Sequence, residues 1–447
     1  MSALAATVNI LQRRLKYFSF CLLFVFIYVI SGPLLFSQNN TGGELHLTEE
    51  VPLAPAAGSG PITSIEVIGL KRTKPHIAKL PLEKFLGREA SSLDPNEVQA
   101  AVKDTGILEP LEVGFVESSD GIILRVTVLE KWTVFPVPLV IAGSGGSNFG
   151  FFLLDSNAFG LRDAAVLGGM YGTSGVSAIA MYQHTPNSSG WPGWNSFFMY
   201  SRRENKNEDN EEEVHRRYSA DQIRVSLGLQ YPITGFLASS MSVSFSDISL
   251  RKKSDDLNPP GEGARFLSFS PGLSLRSSSW DGYLLSQKSL ALGYTFNRAF
   301  SGFFWNETYA RGVFEQPIIP GFRIVLRSGA VWKSEADPDV DPLFEDGPQR
   351  AQVDILPRNF SARNYAGFSG GLEKYLVKFN WGTLSVFGAW QCVFSHGLIS
   401  GSEFDNGPSG GIRLYLSRLA LPALGTGLAY NMNSKLYQFT FSMGMEI

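Results

Sequence analysis

The sequence predicts a mainly β protein in which a small α+β domain precedes an antiparallel transmembrane β-barrel of about 16 strands. Three observations favour this fold class. Apolar and polar residues alternate strictly over segments of about ten residues, and the 447 residues include Gly 46 and 13% aromatic residues. Only 18% of the residues are charged, whereas soluble domains have about 25%. The low charge indicates that part of the surface does not face water.

The first segment has the residue order of a secretion signal. Basic residues within 13–16 precede an apolar run over 17–36, and small and polar residues follow it. This order is typical of a cleaved signal peptide, which we expect over residues 1–37. A permanent transmembrane anchor is the alternative, because about 20 apolar residues can span a bilayer. Residues 38–60, rich in Gly, Pro, Ala and Glu, are interpreted as a flexible linker.

Residues 61–132 change their hydrophobic period in the order expected of a small β-α-α-β-β domain. Strand-like alternation comes first, two stretches of helical spacing follow, and a hairpin ends the region. The second helix has clear end signals, because Asp94 is a good N-cap, Pro95 suits the first helical position and Gly106 can supply a left-handed C-terminal cap. We therefore predict one α+β domain over residues 61–132.

Residues 133–447 carry the alternation expected of a barrel with one face in lipid and one in a lumen. Met241, Val243 and Phe245 alternate with serines, for example. A soluble β-sandwich is the alternative, but the second face is too small and polar for a core between two sheets. An even strand number places both barrel ends on the periplasmic side, so the long connections 204–217 and 336–358 should face outward. We expect the charged run 204–217 to be a solvated exterior loop.

Other chemistry is not indicated. A net charge of -3 and the lack of a basic stripe give no reason to expect a nucleic-acid partner. The five histidines show neither metal-ligand spacing nor a nucleophile setting, so we predict no catalytic residue, metal or cofactor. The alternating acids Asp337, Asp339 and Asp341 are similar to a calcium loop but lack its glycine at the sixth position. Cys21 and Cys392 lie in very different regions and are not expected to pair.

The first predicted barrel strand, residues 134–143, contains Pro136 and Pro138 two residues apart. Both missing N–H groups would have pointed to the same neighbouring strand, so that side cannot form a full ladder. If this neighbour is the last strand, the seam between first and last strands is short of hydrogen bonds and can open laterally. The alternative is that both prolines precede the start of pairing.

The chain end and one long loop carry a resemblance to a known family. Tyr437, Phe439 and Phe441 share one face of the last strand, which continues through Gly444 to Ile447. This pattern is similar to the C-terminal β-signal by which outer-membrane barrels are recognised for insertion, although Ile447 stands where an aromatic is typical. The chain thus resembles the BamA/TamA-type outer-membrane assembly barrels, also called the bacterial surface antigen family. Within it, the α+β domain resembles a POTRA domain.

Between the predicted eleventh and twelfth strands, Ala362-Arg363-Asn364-Tyr365 is similar to the Val-Arg-Gly-Phe/Tyr motif of this family, with Asn364 in place of Gly. The resemblance implies that this loop folds into the lumen, where the arginine meets a Glu on the twelfth strand and an Asp on the thirteenth. Glu373 matches the first acid, but Ala389 stands at the second. We therefore expect a latch of Arg363 with Glu373 that is weaker than usual. The alternative is that both residues merely line a porin-like lumen.

The resemblance implies an assembly or translocation factor of the bacterial outer membrane. Its POTRA-like domain in the periplasm would receive unfolded outer-membrane or secreted clients through an open strand edge, with accessory assembly proteins as further partners. Its barrel would sit in outer-membrane lipid and insert or pass these clients. Two alternatives stay open: a surface-exposed structural barrel or pore without a client, and a dedicated two-partner secretion transporter.

Overall fold

The computed structural model describes ten stretches of the chain. They are residues 60–143, 146–173, 175–184, 192–281, 284–335, 338–357, 359–379, 382–397, 401–416 and 424–443. The predicted signal peptide and nearly all of the predicted linker lie outside the described residues. Within these stretches, no helix combines the length and the apolar character needed to cross a bilayer.

The N-terminal domain has the predicted α+β order. Its elements are β1 (Ile62–Ile68), α1 (Pro75–Lys79), 3-10 turns at Leu80–Phe85 and Ala90–Ser92, α2 (Pro95–Lys103), β2 (Leu108–Ser118) and β3 (Gly121–Glu130). The sheet has the order β1-β3-β2, with β1 parallel and β2 antiparallel to β3. One face of this sheet packs on the helices around a core that includes Phe85, Val98 and Leu124.

Proline and capping residues set the helix ends. Asp94 caps α2, since its side chain accepts a hydrogen bond from Asn96 N at 2.9 Å, and Gly106 has the left-handed φ of 75° that ends the helical segment. The first helix is shorter than its spacing predicts. Pro81 lacks the N–H that an α-helix needs, and the chain continues from Leu80 as a 3-10 turn.

Sixteen further strands form one antiparallel sheet in which each strand pairs with the next along the chain. They are β4 (Val134–Gly143), β5 (Gly146–Ala158), β6 (Asp163–Gly172), β7 (Gly175–His184), β8 (Gly193–Glu208), β9 (Val214–Pro232), β10 (Leu237–Arg251), β11 (Ala264–Asp281), β12 (Leu284–Ala299), β13 (Phe304–Ile319), β14 (Phe322–Lys333), β15 (Asn364–Phe379), β16 (Gly382–Gly397), β17 (Gly401–Leu416), β18 (Leu424–Tyr430) and β19 (Tyr437–Met443). The prediction of an antiparallel barrel of about 16 strands with a small α+β domain is confirmed.

The two faces of the barrel are inverted relative to a soluble protein. Met241 and Val243 are about half exposed on the outside, whereas Ser244 and Ser246 are buried on the inside. Successive side chains of a strand point to opposite faces, so this difference holds over residues 241–246 of β10, whereas at its far end Asp247 faces outward and Ile248 is buried inside. An apolar outer face and a polar lumen suit a barrel surrounded by lipid.

Connections alternate between the two ends of the barrel because consecutive strands are antiparallel. The β5–β6 turn lies at the end that carries the N-terminal domain, which we call the domain end. The β8–β9 and β14–β15 connections lie at the opposite end, the far end. The prediction that 204–217 is a solvated loop is wrong. β8 continues to Glu208, β9 begins at Val214, and Asn207, Glu208 and Arg216 are buried against the β14–β15 connection.

Outward and inward positions should differ in their tolerance of charge. We expect Val243→Lys, on the apolar outer face, to lower the free energy of unfolding in liposomes by about 2–4 kcal/mol. Ser242→Lys, one residue away and directed into the lumen, is the matched control and should cost less than about 1 kcal/mol. Urea titration followed by gel mobility of the folded barrel measures both. Equal losses would contradict the assignment of the faces.

Candidate functional site

The β14–β15 connection enters the lumen, and we call its residues 338–357 and 359–363 the plug segment. Its first half packs on the wall formed by β9 to β13. Phe344 stacks on Trp305 with ring centroids 4.1 Å apart and meets Phe266 edge-on at 5.6 Å. Val340 is fully buried in the same cluster. Burying two such side chains contributes about 3–6 kcal/mol, so this half is held to the wall.

The second half of the plug segment packs on the opposite wall. Ile355 and Phe360 are almost completely buried in one cluster with Tyr365 on β15, Val393 on β16 and Ala429 on β18. A segment that contacts β9 to β13 on one side and β15 to β18 on the other crosses the lumen. These contacts place the described residues of the plug segment between the two walls.

Buried ion pairs fix the plug segment in place. Glu345, whose side chain is 1% exposed, accepts hydrogen bonds from Arg216 Nη1 and Asn207 Nδ2, both at 2.8 Å. Arg363 Nη1 lies 2.9 Å from Asp341 Oδ2. Because a buried charge is costly without a partner, the pair of Glu345 with Arg216 on β9 strongly disfavours movement of the plug segment away from its wall. The pair of Arg363 with Asp341 joins the two ends of the plug segment to each other.

Two glycines leave room for the plug segment at the barrel wall. Gly329 on β14 and Gly367 on β15 are direct cross-strand partners. A Cβ on Gly329 would lie 2.3 Å from the carbonyl oxygen of Arg350, and one on Gly367 would lie 2.2 Å from that of Ala351. Such distances are too short for any real Cβ, so the plug segment seats directly on the backbone of these strands.

The predicted pair of Arg363 with Glu373 is not formed. Arg363 binds Asp341 and donates from Nη2 to the carbonyl oxygen of Ser334, and its backbone N donates to His396 O at 2.9 Å. Because β15 begins at the next residue, ten residues of extended strand, or about 33 Å, separate Arg363 from Glu373. The arginine thus lies at the far end of the barrel and the glutamate near the domain end.

Glu373 is the centre of a second charged cluster in the lumen. It is fully buried and pairs with Arg323 Nη2 at 2.6 Å and Arg413 Nη1 at 2.8 Å. Ser385 and Tyr415 also donate to its carboxylate. The cluster joins β14, β15, β16 and β17 across the inner wall. The sequence analysis missed both arginines, although each occupies an inward position of its strand.

Tyr365 and Asn364 attach the end of the plug segment to its neighbours. Tyr365 is buried, and its hydroxyl donates to the carbonyl oxygen of Asp346. Asn364 Oδ1 accepts a hydrogen bond from Lys333 N at 2.7 Å, and Lys333 Nζ pairs with Asp346 Oδ2 at 2.6 Å. The motif residues therefore hold the two ends of the plug segment together instead of reaching Glu373.

The tip of the β8–β9 hairpin, residues 209–213, extends over the far end of the lumen. Asn210 Nδ2 donates to Asp405 Oδ1 on β17 at 3.3 Å, and Gln438 Nε2 on β19 donates to Glu212 Oε1 at 3.0 Å. The hairpin thus reaches strands that are eight to ten places away in the sheet order.

The predicted seam and chain-end residues lie at the two ends of the sheet. Ser156 N donates to Thr133 O, so odd-numbered positions of the first barrel strand pair with β5. Pro136 and Pro138 therefore direct their backbone nitrogens away from β5, and pairing with β5 begins before them, at Val134. In β19, Tyr437 and Phe439 are about 70% exposed on the outer face, and the backbone of Phe441 pairs with Thr426 on β18. Gly444 and Ile447 lie outside the described residues.

Glu130, the last residue of β3, joins the N-terminal domain to the barrel. Its Oε1 accepts hydrogen bonds from Thr73 N at 2.9 Å and Thr73 Oγ1 at 2.7 Å, and its Oε2 accepts from Lys71 N at 2.7 Å and Arg72 N at 2.9 Å. Asn157, fully buried at the barrel rim, donates to Glu130 Oε1 and to Thr73 Oγ1. Burial acts to raise the pKa of Glu130, but the hydrogen bonds together hold it below the ordinary value of 4.5.

We call the contact of Glu130, Thr73 and Asn157 between the N-terminal domain and the barrel rim the joint. Two arginines strengthen the joint from opposite sides. Arg72, in the domain, forms a two-point ion pair with Asp155 on β5, with Nη1 to Oδ1 at 3.0 Å. Arg162, in the β5–β6 turn, donates to the carbonyl oxygens of Thr105 at 3.0 Å and Asp104 at 2.9 Å. The sequence analysis missed the joint. The one sequence signal that could have indicated this contact is Glu130, the acid that ends β3 next to the predicted domain boundary.

Comparisons with known proteins give the fold and no close relative. No family model matches the sequence, and no curated protein matches it. Among solved structures, the chain is similar to BamA from Haemophilus ducreyi lacking POTRA domains 1–3, with 13% identity, a TM-score of 0.50, and coverage of 85% of this chain and 83% of that chain. It is also similar to CdiB from Escherichia coli, with 15% identity, a TM-score of 0.58 and coverage of 86% and 75%. CdiB from Acinetobacter baumannii gives 13% identity, a TM-score of 0.57 and coverage of 86% and 74%. At such identities these likenesses establish the fold alone.

Side chains introduced at Gly329 and Gly367 should displace the plug segment. We expect Gly329→Val and Gly367→Val to raise the steady conductance of the barrel in planar bilayers at least severalfold, because the new side chains occupy the space of the Arg350 and Ala351 carbonyl groups. Gly388→Val, on β16 where a Cβ meets nothing within 4 Å, is the matched control and should leave the conductance unchanged. If all three variants conduct like the wild type, the plug segment does not close the lumen.

The joint should depend on pH through Glu130. Since the folded pKa lies below the ordinary value, its stabilisation is present above about pH 4.5 and is lost as the pH falls through the folded pKa. At neutral pH, Glu130→Gln should broaden the spin-label distance distribution between domain and barrel, and the wild type should broaden only in acid. Glu112→Gln, an exposed carboxylate on β2, serves as the control. A narrow distribution for Glu130→Gln would contradict this role.

Proposed function

We propose that this chain, which has the fold of the BamA/TamA-type outer-membrane barrels, is an outer-membrane protein assembly or secretion factor. In this proposal the N-terminal domain lies in the periplasm and receives unfolded protein clients, and the barrel inserts or passes them. One observation carries the proposal: the barrel combines two features. A small α+β domain is fixed to one rim of the barrel through Glu130, and the plug segment lies in the lumen.

The N-terminal domain offers strand edges to an extended client. In the sheet order β1-β3-β2, both β1 and β2 are edge strands, and β2 is 11 residues long. An unpaired edge is a template on which another chain can add a strand, with main-chain hydrogen bonds supplying the affinity. The joint holds this edge at a set position below the barrel, which supports delivery of the client to the barrel rim.

The presence of the plug segment favours the function of a gated barrel and disfavours that of a passive pore. Its two apolar clusters and buried ion pairs fill the space through which a porin would conduct. The direction of the Pro136 and Pro138 nitrogens supports a first strand that forms an incomplete ladder with the last, so we keep lateral opening at the seam as part of the proposal. Disulfide crosslinking of the first to the last strand should then abolish function.

We assign no enzymatic activity to the chain. His184 Nδ1 lies 2.9 Å from Asp163 Oδ1 at the domain end, and His396 Nδ1 lies 2.9 Å from Ser402 Oγ at the far end. A catalytic triad needs its nucleophile, base and acid in one place. Because these two pairs lie at opposite ends of the barrel, they do not form a single triad.

Depletion of the protein, followed by a quantitative census of outer-membrane and secreted proteins, tests the proposal. We expect many outer-membrane proteins to decrease if the chain is a general assembly factor. Loss of one secreted protein would instead assign dedicated two-partner secretion. If the protein is depleted and the amounts of outer-membrane and secreted proteins stay unchanged, client handling is rejected. The alternative of a structural barrel or pore would then stand.

A further inference from the structure

The β5–β6 turn, residues 159–162, connects the outer surface of the barrel with the N-terminal domain, and we call it the rim turn. Lys74 N of the domain donates to Gly160 O at 2.9 Å, and a Cβ on Gly160 would lie 2.2 Å from the carbonyl oxygen of Arg72. Such a distance is too short for any real Cβ, so the backbone of the domain rests directly on the rim turn. Any force on the rim turn is therefore transmitted to the domain.

Phe159, the first residue of the rim turn, is both exposed and conformationally strained. It is 71% exposed, and its φ of 56° is left-handed. A bulky residue rarely adopts this backbone conformation, whereas glycine adopts it without strain. Neither the shape of the turn nor the limited packing of the ring thus explains an aromatic residue at this position. The side chain is placed to contact something outside the chain.

Phe159 belongs to an aromatic group on the outer surface of the barrel. Its ring centroid lies 6.0 Å from that of Tyr182 on β7, and the Tyr182 centroid lies 5.0 Å from that of Trp194 on β8. Trp194 is 42% exposed and is the cross-strand partner of His184. Tyr182, two residues before His184, shares this outward face. We call Phe159, Tyr182 and Trp194 the rim aromatics.

Asp163, the first residue of β6, binds the polar atoms beside the rim aromatics. It is fully buried and accepts a hydrogen bond from the Tyr182 hydroxyl, and His184 Nδ1 lies 2.9 Å from its Oδ1. Because these polar atoms are bound within the protein, the rings present their apolar surfaces outward. Aromatic side chains with an apolar body and a satisfied polar end are typical of the boundary between hydrocarbon and water.

Spacing along β6 places the rim aromatics at the edge of the apolar outer face. Tyr171, near the far end of this strand, is 74% exposed, and Leu167 at its middle is 64% exposed. From Tyr171 to Asp163 the strand covers about 26 Å, or about 20 Å of height at a tilt of about 40°. The apolar band of a transmembrane barrel is about 25 Å tall and is flanked by aromatic girdles. Phe159, just beyond Asp163, thus lies at the headgroup level on the domain side.

We propose that Phe159 inserts into the membrane leaflet on the domain side, and that this lipid contact fixes the rim turn and with it the position of the N-terminal domain. The occupant of this surface is the bilayer itself, because the rim aromatics are continuous with the apolar outer face of the barrel. The inference goes beyond client handling. A census of client proteins and a measurement of this chain in a bilayer can each fail without the other.

The depth of Phe159 is measured with a nitroxide label on Phe159→Cys in the full chain, with Cys21 and Cys392 replaced by serine, in phosphatidylcholine nanodiscs. Oxygen concentrates in hydrocarbon and a nickel chelate stays in water, so the ratio of their collision rates reports lipid contact. We expect this ratio to be at least severalfold higher than at Leu86→Cys, the matched control. Leu86 is 45% exposed, and its neighbour Gly87 binds Ile62 at the end of the domain remote from Glu130. A ratio equal to that at Leu86 would indicate a solvated turn, and a label shielded from both reagents would indicate a protein contact; either overturns the proposal.

The positioning role is tested by the spin-label distance distribution between domain and barrel in the same nanodiscs. Phe159→Gly relieves the strain of the left-handed backbone, so a purely structural turn would keep or narrow the distribution. We expect it to broaden instead, because the lipid contact is lost. Phe159→Trp should keep the width of the wild type, since tryptophan suits the interface, and Leu86→Gly should also leave it unchanged. Gel mobility verifies that each variant is folded, and a folded Phe159→Gly with the wild-type width would overturn the proposal.

Discussion

The structure depends on one constraint: a single curved sheet of 16 strands with an apolar outer face has no second layer to cover its inner face. The inner face is polar, and polar groups withdrawn from water need partners. Glu373 meets this need through Arg323 and Arg413 on neighbouring strands. The paired charges inside the barrel are thus a consequence of the alternation that makes the outside apolar.

The same constraint explains the plug segment. Parts of the inner wall are aromatic or aliphatic, and an empty, water-filled lumen would expose them. Phe344 covers one such region around Trp305, and Phe360 covers another beside Tyr365. The buried ion pair of Glu345 with Arg216 fixes the orientation of the plug segment, because a displaced segment would leave a buried charge without its partner. The position of the plug segment therefore rests on apolar burial, and its orientation on paired charges.

The two ends of the barrel are organised for different tasks. At the domain end, Glu130 and Asn157 connect backbone amides of the N-terminal domain to the barrel rim, which turns two folded units into one oriented body. At the far end, the tip of the β8–β9 hairpin reaches β17 and β19.

The sequence by itself determined which elements form and which face each strand residue occupies. The alternation around Val243, the cap at Asp94 and the outward aromatics Tyr437 and Phe439 all follow from local periods of two or 3.6 residues. The strand count followed from the same pattern.

Only the tertiary structure decided which residues meet. Alternation tells which face a side chain occupies, but it carries no information on depth in the barrel or on the path of a loop. Arg363 and Glu373 share one strand region, yet extended geometry holds them at opposite ends, and Asp341, within the plug segment, becomes the partner instead. The joint at Glu130 likewise depends on how two folded units meet, which is a property of their surfaces in three dimensions and not of either segment's local pattern.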